Sequence, residues 1–292
     1  MGLTGLARWI NAPPQGLGLV RDNMMLNHNA TYRGKWNISI RSYRSTINQL
    51  PIPALHGKPD RLMCSLTMDD NVFVLIENPD APMRADVLAA APPGDESTYI
   101  QGCTHFRTTF LTLRPPGALE QLLAQLKARW LSVRQTTATQ SRGSHTSGQQ
   151  ILIDGQVFAI GTDWIVRIGN VVLAGGAVKG MLLEAEYLPL PLLRSSNVDG
   201  TSELLSNLLT SILPNIPDAK TVAVTMSETQ WEDSMYARED PVQKSEDMMS
   251  DDIYAIGHED IPESKRGDWL GLDRERRSAF VILGALRSEG LL

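Results

Sequence analysis

Four apolar segments between residues 151 and 187 are separated by very short polar breaks, and this pattern constrains the fold more than any other. The segments are Ile151–Ile153, Gln156–Ile160, Trp164–Leu173 and Met181–Tyr187. The breaks are Asp154-Gly155, Gly161-Thr162-Asp163 and Gly175-Gly176. Turn residues in connections this short are typical of tight antiparallel hairpins. The region therefore predicts a series of antiparallel strands.

A second group of strands is predicted nearer the amino terminus. Trp36–Arg41 alternates apolar and polar residues, which is the period of a half-buried strand. Arg61–Thr67 and Val72–Ile76 flank the turn residues Asp69-Asp70-Asn71, and this spacing predicts a hairpin. The first thirty residues predict irregular structure, apart from a short helix near Val20–Leu26.

Three later segments carry apolar residues at helical spacing. They predict a helix over Gly117–Val133, a helix after Thr201-Ser202 and a carboxyl-terminal helix after Asp273. The apolar stripes are Leu119, Leu122, Leu123, Leu126 and Trp130; Leu204, Leu205, Leu208, Leu209 and Ile212; and Ala279, Ile282, Leu283 and Leu286. Ala89–Gly102 and Gln135–Gln150 predict loops or insertions, because they are rich in Ala, Pro and Gly or in small polar residues.

Two strand groups with a long helix between them and helices after them predict an α+β fold with a mainly antiparallel sheet. The strands are numerous enough for a barrel-like closure, with the helices flanking it. Composition does not shift along the chain, so we expect residues 1–292 to form a single domain. The exception is an acidic stretch, residues 228–263, which contains 12 acidic residues and two basic ones. We expect residues 233–265 to be a mobile insertion.

Charge and cysteine content exclude several classes of protein. The chain carries a formal charge of −6 over 292 residues and has no basic stripe, which disfavours direct nucleic-acid binding. Cys64 and Cys103 are the only two cysteines, too few for a disulfide framework or a multi-cysteine zinc module. No apolar run approaches the length of a secretion signal or a membrane span. We therefore expect a soluble intracellular protein.

The familiar catalytic and nucleotide-binding motifs are not matched. Gly16-Leu17-Gly18 begins a dinucleotide fingerprint, but Arg21 occupies the third glycine position. Gly175–Gly180 lacks the spacing of a phosphate-binding loop and predicts a glycine-rich hairpin instead. No nucleophile elbow is present, and neither cysteine has the sequence context of a nucleophile. We therefore assign no catalytic, cofactor-binding or metal-binding residues.

One pair of carboxylates, Glu184 and Glu186, remains as a candidate for chemistry. Strand alternation puts both on one face, where two carboxylates could share a divalent cation. Tunnel-type metal-dependent triphosphate hydrolases use such Glu-x-Glu strands, but they need a second acidic strand and several inward-facing basic residues. No second Glu-x-Glu occurs in this chain. A solvated or ion-paired strand face is therefore the favoured interpretation, and a hydrolase is the alternative.

Several segments, in order, resemble one protein family, subunit 20 of the Mediator of RNA polymerase II transcription. The similar segments are Met1–Thr4, Trp36–Arg44 followed by Leu50-Pro51, Leu62–Thr67, Ser141-Arg142-Gly143, Ile151–Gly155, Val166–Gly169, Lys179–Tyr187 and the leucine stripe at 204–209. The resemblance covers most of residues 1–213. The chain departs from the family pattern in the insertion-like residues 89–102, 188–199 and 228–263.

The resemblance implies a non-enzymatic subunit of the Mediator head module, a nuclear coactivator that links regulatory factors to RNA polymerase II. It also implies a β-barrel with flanking helices, related in architecture to the tunnel triphosphatases. The implied partners are the similarly folded subunit 18, as a heterodimer, and the carboxyl-terminal helix of subunit 8. The resemblance supplies no catalytic residues, cofactor or metal.

Overall fold

Ten strands and six helices make up the described part of the chain. The computed structural model describes residues 3–46, 59–126, 129–133, 150–189, 202–215, 220–224 and 272–292. The strands are β1 (Leu3–Trp9), β2 (Ala30–Ser45), β3 (Leu62–Met68), β4 (Asn71–Glu77), β5 (Thr108–Leu113), β6 (Trp130–Ser132), β7 (Gln150–Ile160), β8 (Trp164–Val172), β9 (Val178–Tyr187) and β10 (Thr221–Val224). The helices are α1 (Gly16–Asn27), α2 (Arg84–Ala90), α3 (Glu96–Gly102), α4 (Ala118–Gln125), α5 (Glu203–Ile212) and α6 (Leu272–Ser288).

All ten strands belong to one antiparallel sheet. Its order is β10-β1-β9-β8-β7-β2-β3-β4-β5, and β6 pairs with the end of β2. The short connections between β3 and β4, β7 and β8, and β8 and β9 join neighbouring strands, as the turn residues predict. The α+β fold with a mainly antiparallel, barrel-like sheet is thus confirmed. Within the described residues the sheet has two ends, at β5 and at β10.

The sheet curves around helix α6, and we call the face that contacts this helix the inner face. Strand β1 lies near one end of the sheet and β4 near the other, yet both contact α6. The helix contributes five buried side chains to the core on this face: Ala279, Ile282, Leu283, Ala285 and Leu286. The predicted carboxyl-terminal stripe is therefore correct, and it is the centre of the main hydrophobic core.

Two glycines face each other in the pairing of β7 with β8. Gly155 lies directly opposite Gly169, and a Cβ at Gly155 would stand 2.2 Å from the carbonyl oxygen of Ile168. A Cβ at Gly169 would stand 2.6 Å from a methyl group of Ile153 and 3.2 Å from the ring of Trp36. Glycine in a strand interior permits such close approach and sharp bending. The pair therefore fits the curvature of the sheet on its inner face.

The outer face carries two separate apolar clusters, each covered by its own helices. Helices α1 and α5 cover the half formed by β1 and β7–β9, where Trp9, Met24, Phe158, Met181 and Leu209 are buried. Helix α4 covers the other half, where Leu119 packs on Tyr43, Met63, Val72 and Val74. The predicted leucine stripe of α5 is confirmed for Leu205, Leu209 and Ile212, whereas Leu204 is exposed.

Several predicted boundaries are wrong. The first thirty residues contain β1, and the helix predicted near 20–26 extends over α1. The helix predicted over 117–133 ends after Gln125, because Trp130 pairs with Ser45 in β6. Residues 89–102 are not a loop, since they include the end of α2 and all of α3. Asp154-Gly155 is not a turn, because β7 continues through it.

Some predictions fall on residues outside the described part of the chain. The acidic stretch 228–263, the insertion 233–265 and residues 190–199 of the segment 188–199 lie there, as does the polar segment 135–149. Their structure and the single-domain organisation of residues 1–292 stay predictions.

Candidate functional site

A buried cluster of charges lies on the inner face of the sheet, between β8, β9 and α6. Arg167 of β8 stands directly opposite Glu184 of β9 in the strand register. Glu186 follows two residues later, so that strand alternation puts all three side chains on the inner face. Glu184 is 1% exposed and Glu186 is 4% exposed. The predicted sharing of one face by the two carboxylates is correct.

The guanidinium group of Arg167 bridges the two carboxylates. Its Nη1 lies 2.6 Å from Glu184 Oε1 and 3.1 Å from Glu186 Oε2, and its Nη2 also donates to Glu186 Oε2 at 3.1 Å. Charge-assisted hydrogen bonds of this kind are about twice as strong as neutral ones. Burial opposes the charge on Arg167, but the two carboxylates outweigh burial and raise the pKa of Arg167 above its usual value. Arg167 therefore stays charged inside the sheet.

Helix α6 completes the cluster from the other side. Arg274 Nη1 donates to Glu186 Oε2 at 2.8 Å, and the hydroxyl group of Ser278 donates to Glu184 Oε2. Arg274 and Ser278 are four residues apart, which puts them on the same face of a helix. Two arginines thus balance two glutamates, and every carboxylate has a partner from a strand and a partner from the helix. We call these five residues the inner charge cluster.

Further polar contacts hold both ends of α6 to the sheet. Near its start, Asn71 of β4 donates to Glu275 at 2.6 Å. Near its end, Arg287 pairs with Glu77 of β4, and Glu289 lies 2.9 Å from the buried Arg8 of β1. The helix is therefore connected to strands near both ends of the sheet.

A metal ion at the inner charge cluster would have to compete with two arginines. A hard divalent cation takes six to eight oxygen ligands or keeps several waters, and it would have to displace the arginines from both carboxylates. Within the described residues, no group of three or more His, Cys, Asp or Glu is placed to hold a metal ion. Of the two interpretations of Glu184 and Glu186 as a strand face, the ion-paired one matches the geometry.

The remaining sequence candidates lie apart from this cluster. Gly175 and Gly176 form the turn between β8 and β9, with φ values of 126° and 83° that favour glycine. Gly16 and Gly18 lie within α1. Cys64 is a buried residue of β3, where burial raises the pKa of its thiol. None of these residues contacts the inner charge cluster.

Sequence reasoning missed Arg167, Arg274 and Ser278. For Arg167 a signal was present, because a charged residue between Val166 and Ile168 in an apolar strand must face the opposite side. For Arg274 no local signal exists, since its partner Glu186 is 88 positions away.

None of the helices in the described residues is both long and apolar enough to cross a membrane.

Comparison with protein families gives one match over most of the chain. Residues 20–238 match the family model described as the TATA-binding related factor (TRF) of subunit 20 of Mediator complex. The chain belongs to the Mediator subunit 20 family. The resemblance found in the strand segments is thereby confirmed. The matched residues include β9 with Glu184 and Glu186, whereas β1 and α6 lie outside them. A comparison with curated protein sequences gave no match.

Solved structures with a similar course of the chain include three different proteins, and each has low sequence identity to this chain. The PH1819 protein from Pyrococcus horikoshii OT3 has 9% identity and a TM-score of 0.34, covering 77% of this chain and 93% of that one. A chain of the Schizosaccharomyces pombe Mediator head module has 11% identity and a TM-score of 0.30, covering 72% and 92%. The RNA triphosphatase domain of a mimivirus mRNA capping enzyme has 10% identity and a TM-score of 0.26, covering 72% and 89%. Membership of the Mediator subunit 20 family rests on the family match.

Proposed function

We propose that this Mediator subunit is a non-catalytic, structural component of the head module, acting in the nucleus to connect regulatory factors with RNA polymerase II. The observation that carries the proposal is the match to the Mediator subunit 20 family over residues 20–238. The inner face supports it, because α6 packs five apolar side chains where a hydrolase of tunnel type needs an open, water-filled channel.

The chemistry of the inner charge cluster points the same way. A catalytic carboxylate needs a free lone pair for a metal ion or a proton. Arg167 and Ser278 donate to the two oxygens of Glu184, while Arg167 and Arg274 both donate to Oε2 of Glu186. The Glu-x-Glu pair is therefore engaged in ion pairs within the fold, and we infer that the chain is not an enzyme.

The partners that we propose are subunit 18, in a stable heterodimer, and the carboxyl-terminal helix of subunit 8, as the family resemblance implies. We propose that the subunit acts on RNA polymerase II through the assembled complex. We also propose that it does not bind nucleic acid directly. A net charge of −6 is consistent with binding to protein rather than to a phosphate backbone. We further propose that residues 233–265 are a mobile acidic insertion in a single domain, and that they are dispensable for the heterodimer.

A phosphate-release assay separates this proposal from the hydrolase alternative. We expect purified protein to release no phosphate from RNA bearing a 5′-triphosphate, with either Mg²⁺ or Mn²⁺, because both carboxylates are ion-paired. The matched variant is Glu184→Gln, which keeps the shape of the side chain and is checked for folding by circular dichroism. Phosphate release that is present in the parent protein and lost in folded Glu184→Gln would establish the hydrolase instead.

A further inference from the structure

Among the described residues, strand β5 ends the sheet, and it has the properties of an edge that another strand can extend. Its sequence, Thr108-Thr109-Phe110-Leu111-Thr112-Leu113, contains no charge and no proline. Its register with β4 is regular over all six residues, without a bulge. Natural proteins protect such edges with charges, prolines or bulges unless the edge has a partner. The residues of β5 themselves supply none of these protections, and the charge nearest to the middle of the edge is that of Arg276 from α6.

Two hydrogen bonds show which backbone groups of β5 point away from β4. The N–H of Asn78 donates to the carbonyl oxygen of Arg107 at 2.8 Å, so Arg107 faces β4. The direction alternates along an antiparallel strand, so residues 109, 111 and 113 also face β4, and residues 108, 110 and 112 face outward. The carbonyl oxygen of Phe110 accepts from Arg276 of α6, as an outward-facing group would. Three consecutive outward positions are thus available for a strand ladder.

Charge around the edge selects the kind of strand. Arg107 and Arg114 stand at the two ends of β5, and Arg276 lies against its middle, where it also donates to the hydroxyl group of Thr112 at 3.2 Å. If two copies paired through antiparallel β5 strands, Arg107 of each copy would lie close to Arg114 of the other. The two Arg276 side chains would also meet, and like charges that face each other across strands are destabilising. A second copy is therefore disfavoured.

We propose that β5 is a docking edge for an extended segment of another polypeptide in the assembled complex, and that this segment carries at least one carboxylate. The segment adds antiparallel or parallel to β5 through the outward groups of residues 108, 110 and 112. The carbonyl oxygen of Phe110 can accept a second hydrogen bond beside the one from Arg276. On the outer face, Leu111 is 42% exposed and offers an apolar contact to the added strand. This inference rests on the proposed role as a head-module subunit.

Hydrogen exchange of the β5 amides tests the proposal, with the full chain alone and in the head module assembled by co-expression. The amides of Phe110 and Thr112 should exchange rapidly in the isolated chain and at least about 100-fold more slowly in the module. A module that forms without this protection overturns the docking edge and leaves the proposed function intact. Failure of any module to form overturns both.

Protection already present in the isolated chain also overturns the proposal, and two controls then identify the occupant. Protection that depends on protein concentration indicates a second copy. Protection that disappears when residues 225–271 are deleted indicates a segment of the same chain.

Thr112→Pro provides a variant that removes one outward N–H without touching the hydrogen bonds to β4. Proline is tolerated on the open side of an edge strand, so the variant should fold with the thermal stability of Thr112→Ala, which also lacks the hydroxyl group that accepts from Arg276. It should weaken assembly about 5- to 10-fold, the effect of one backbone hydrogen bond, whereas Thr112→Ala keeps the N–H and should stay within about twofold. If Thr112→Pro does not fold, Leu111→Asp replaces it and should weaken assembly as well, because it removes the apolar contact and places a negative charge beside a segment that carries a carboxylate. Equal assembly of parent and variant contradicts the proposal.

Discussion

Replacing Arg167 with methionine should lower the free energy of unfolding by about 3–5 kcal/mol. The variant removes the positive charge that lies 2.6 Å from Glu184 and 3.1 Å from Glu186. It leaves two neighbouring buried carboxylates with Arg274 as the one remaining cation of the inner charge cluster. Breaking a buried ion pair on one side is costly because the remaining charge has lost both its partner and its water. Urea unfolding followed by circular dichroism measures the loss.

Arg41→Met is the matched control, since it removes an arginine of similar geometry from the surface. Arg41 lies 2.7 Å from Glu120, and the two side chains are 37% and 42% exposed. Exposed pairs of this kind contribute about 0–1 kcal/mol. Equal and small losses in the two variants would show that the inner charge cluster is open to water, which contradicts the buried arrangement.

Gly155→Ala should have an effect of comparable size for a different reason. The added methyl group would stand 2.2 Å from the carbonyl oxygen of Ile168 and 2.7 Å from the Cα of Gly169, both of which are backbone atoms. Backbone atoms cannot rotate away, so β7 and β8 must separate at this point. We expect a loss of about 2–4 kcal/mol in the free energy of unfolding, in the upper range for an overpacked site.

Gly34→Ala gives the corresponding control in the neighbouring strand β2. A Cβ at Gly34 meets no atom within 4 Å, and this glycine lies at an irregularity in the pairing of β2 with β7. Adding a methyl group there should change stability by less than about 1 kcal/mol. Thermal unfolding of both variants by calorimetry decides the matter, and a Gly155→Ala protein as stable as Gly34→Ala would contradict the close approach of β7 and β8.

Local patterns predict most of the strands, because the alternation of apolar and polar residues records which face is buried. The hairpin of β3 and β4 follows from its Asp-rich turn, where Asp69 adopts a φ of 49° that aspartate tolerates. The same alternation correctly puts Glu184 and Glu186 on one face. A short polar break does not always mark a turn, since Asp154-Gly155 has the composition of a turn but lies within a continuous strand. There the glycine serves the packing of two strands instead of a change of direction.

The position of α6 could not be predicted from its own residues. The stripe of Ala279, Ile282, Leu283 and Leu286 predicts an amphipathic helix, and such a stripe fits the outer face of a sheet as well as the inner one. Its inner position depends on Arg274, Ser278 and Arg287, whose partners lie on β4 and β9 far away in the sequence. Similarly, Trp130 fits the helical stripe of α4, but pairing with Ser45 in β2 determines its structure. Long-range pairing outweighs local periodicity at both sites.

Co-expression with subunit 18 tests the central claim, that this chain is a structural subunit which functions by assembly. Size-exclusion chromatography should show the two proteins in a single 1:1 peak, because permanent complexes bury large apolar interfaces. The peak should persist after deletion of residues 233–265, since a strongly acidic segment contributes long-range electrostatic attraction rather than packed contacts. The chain made alone should self-associate or be poorly soluble at concentrations above those used for unfolding and hydrogen exchange. Separate elution of the two proteins, with this chain a well-behaved monomer by itself, would contradict the account.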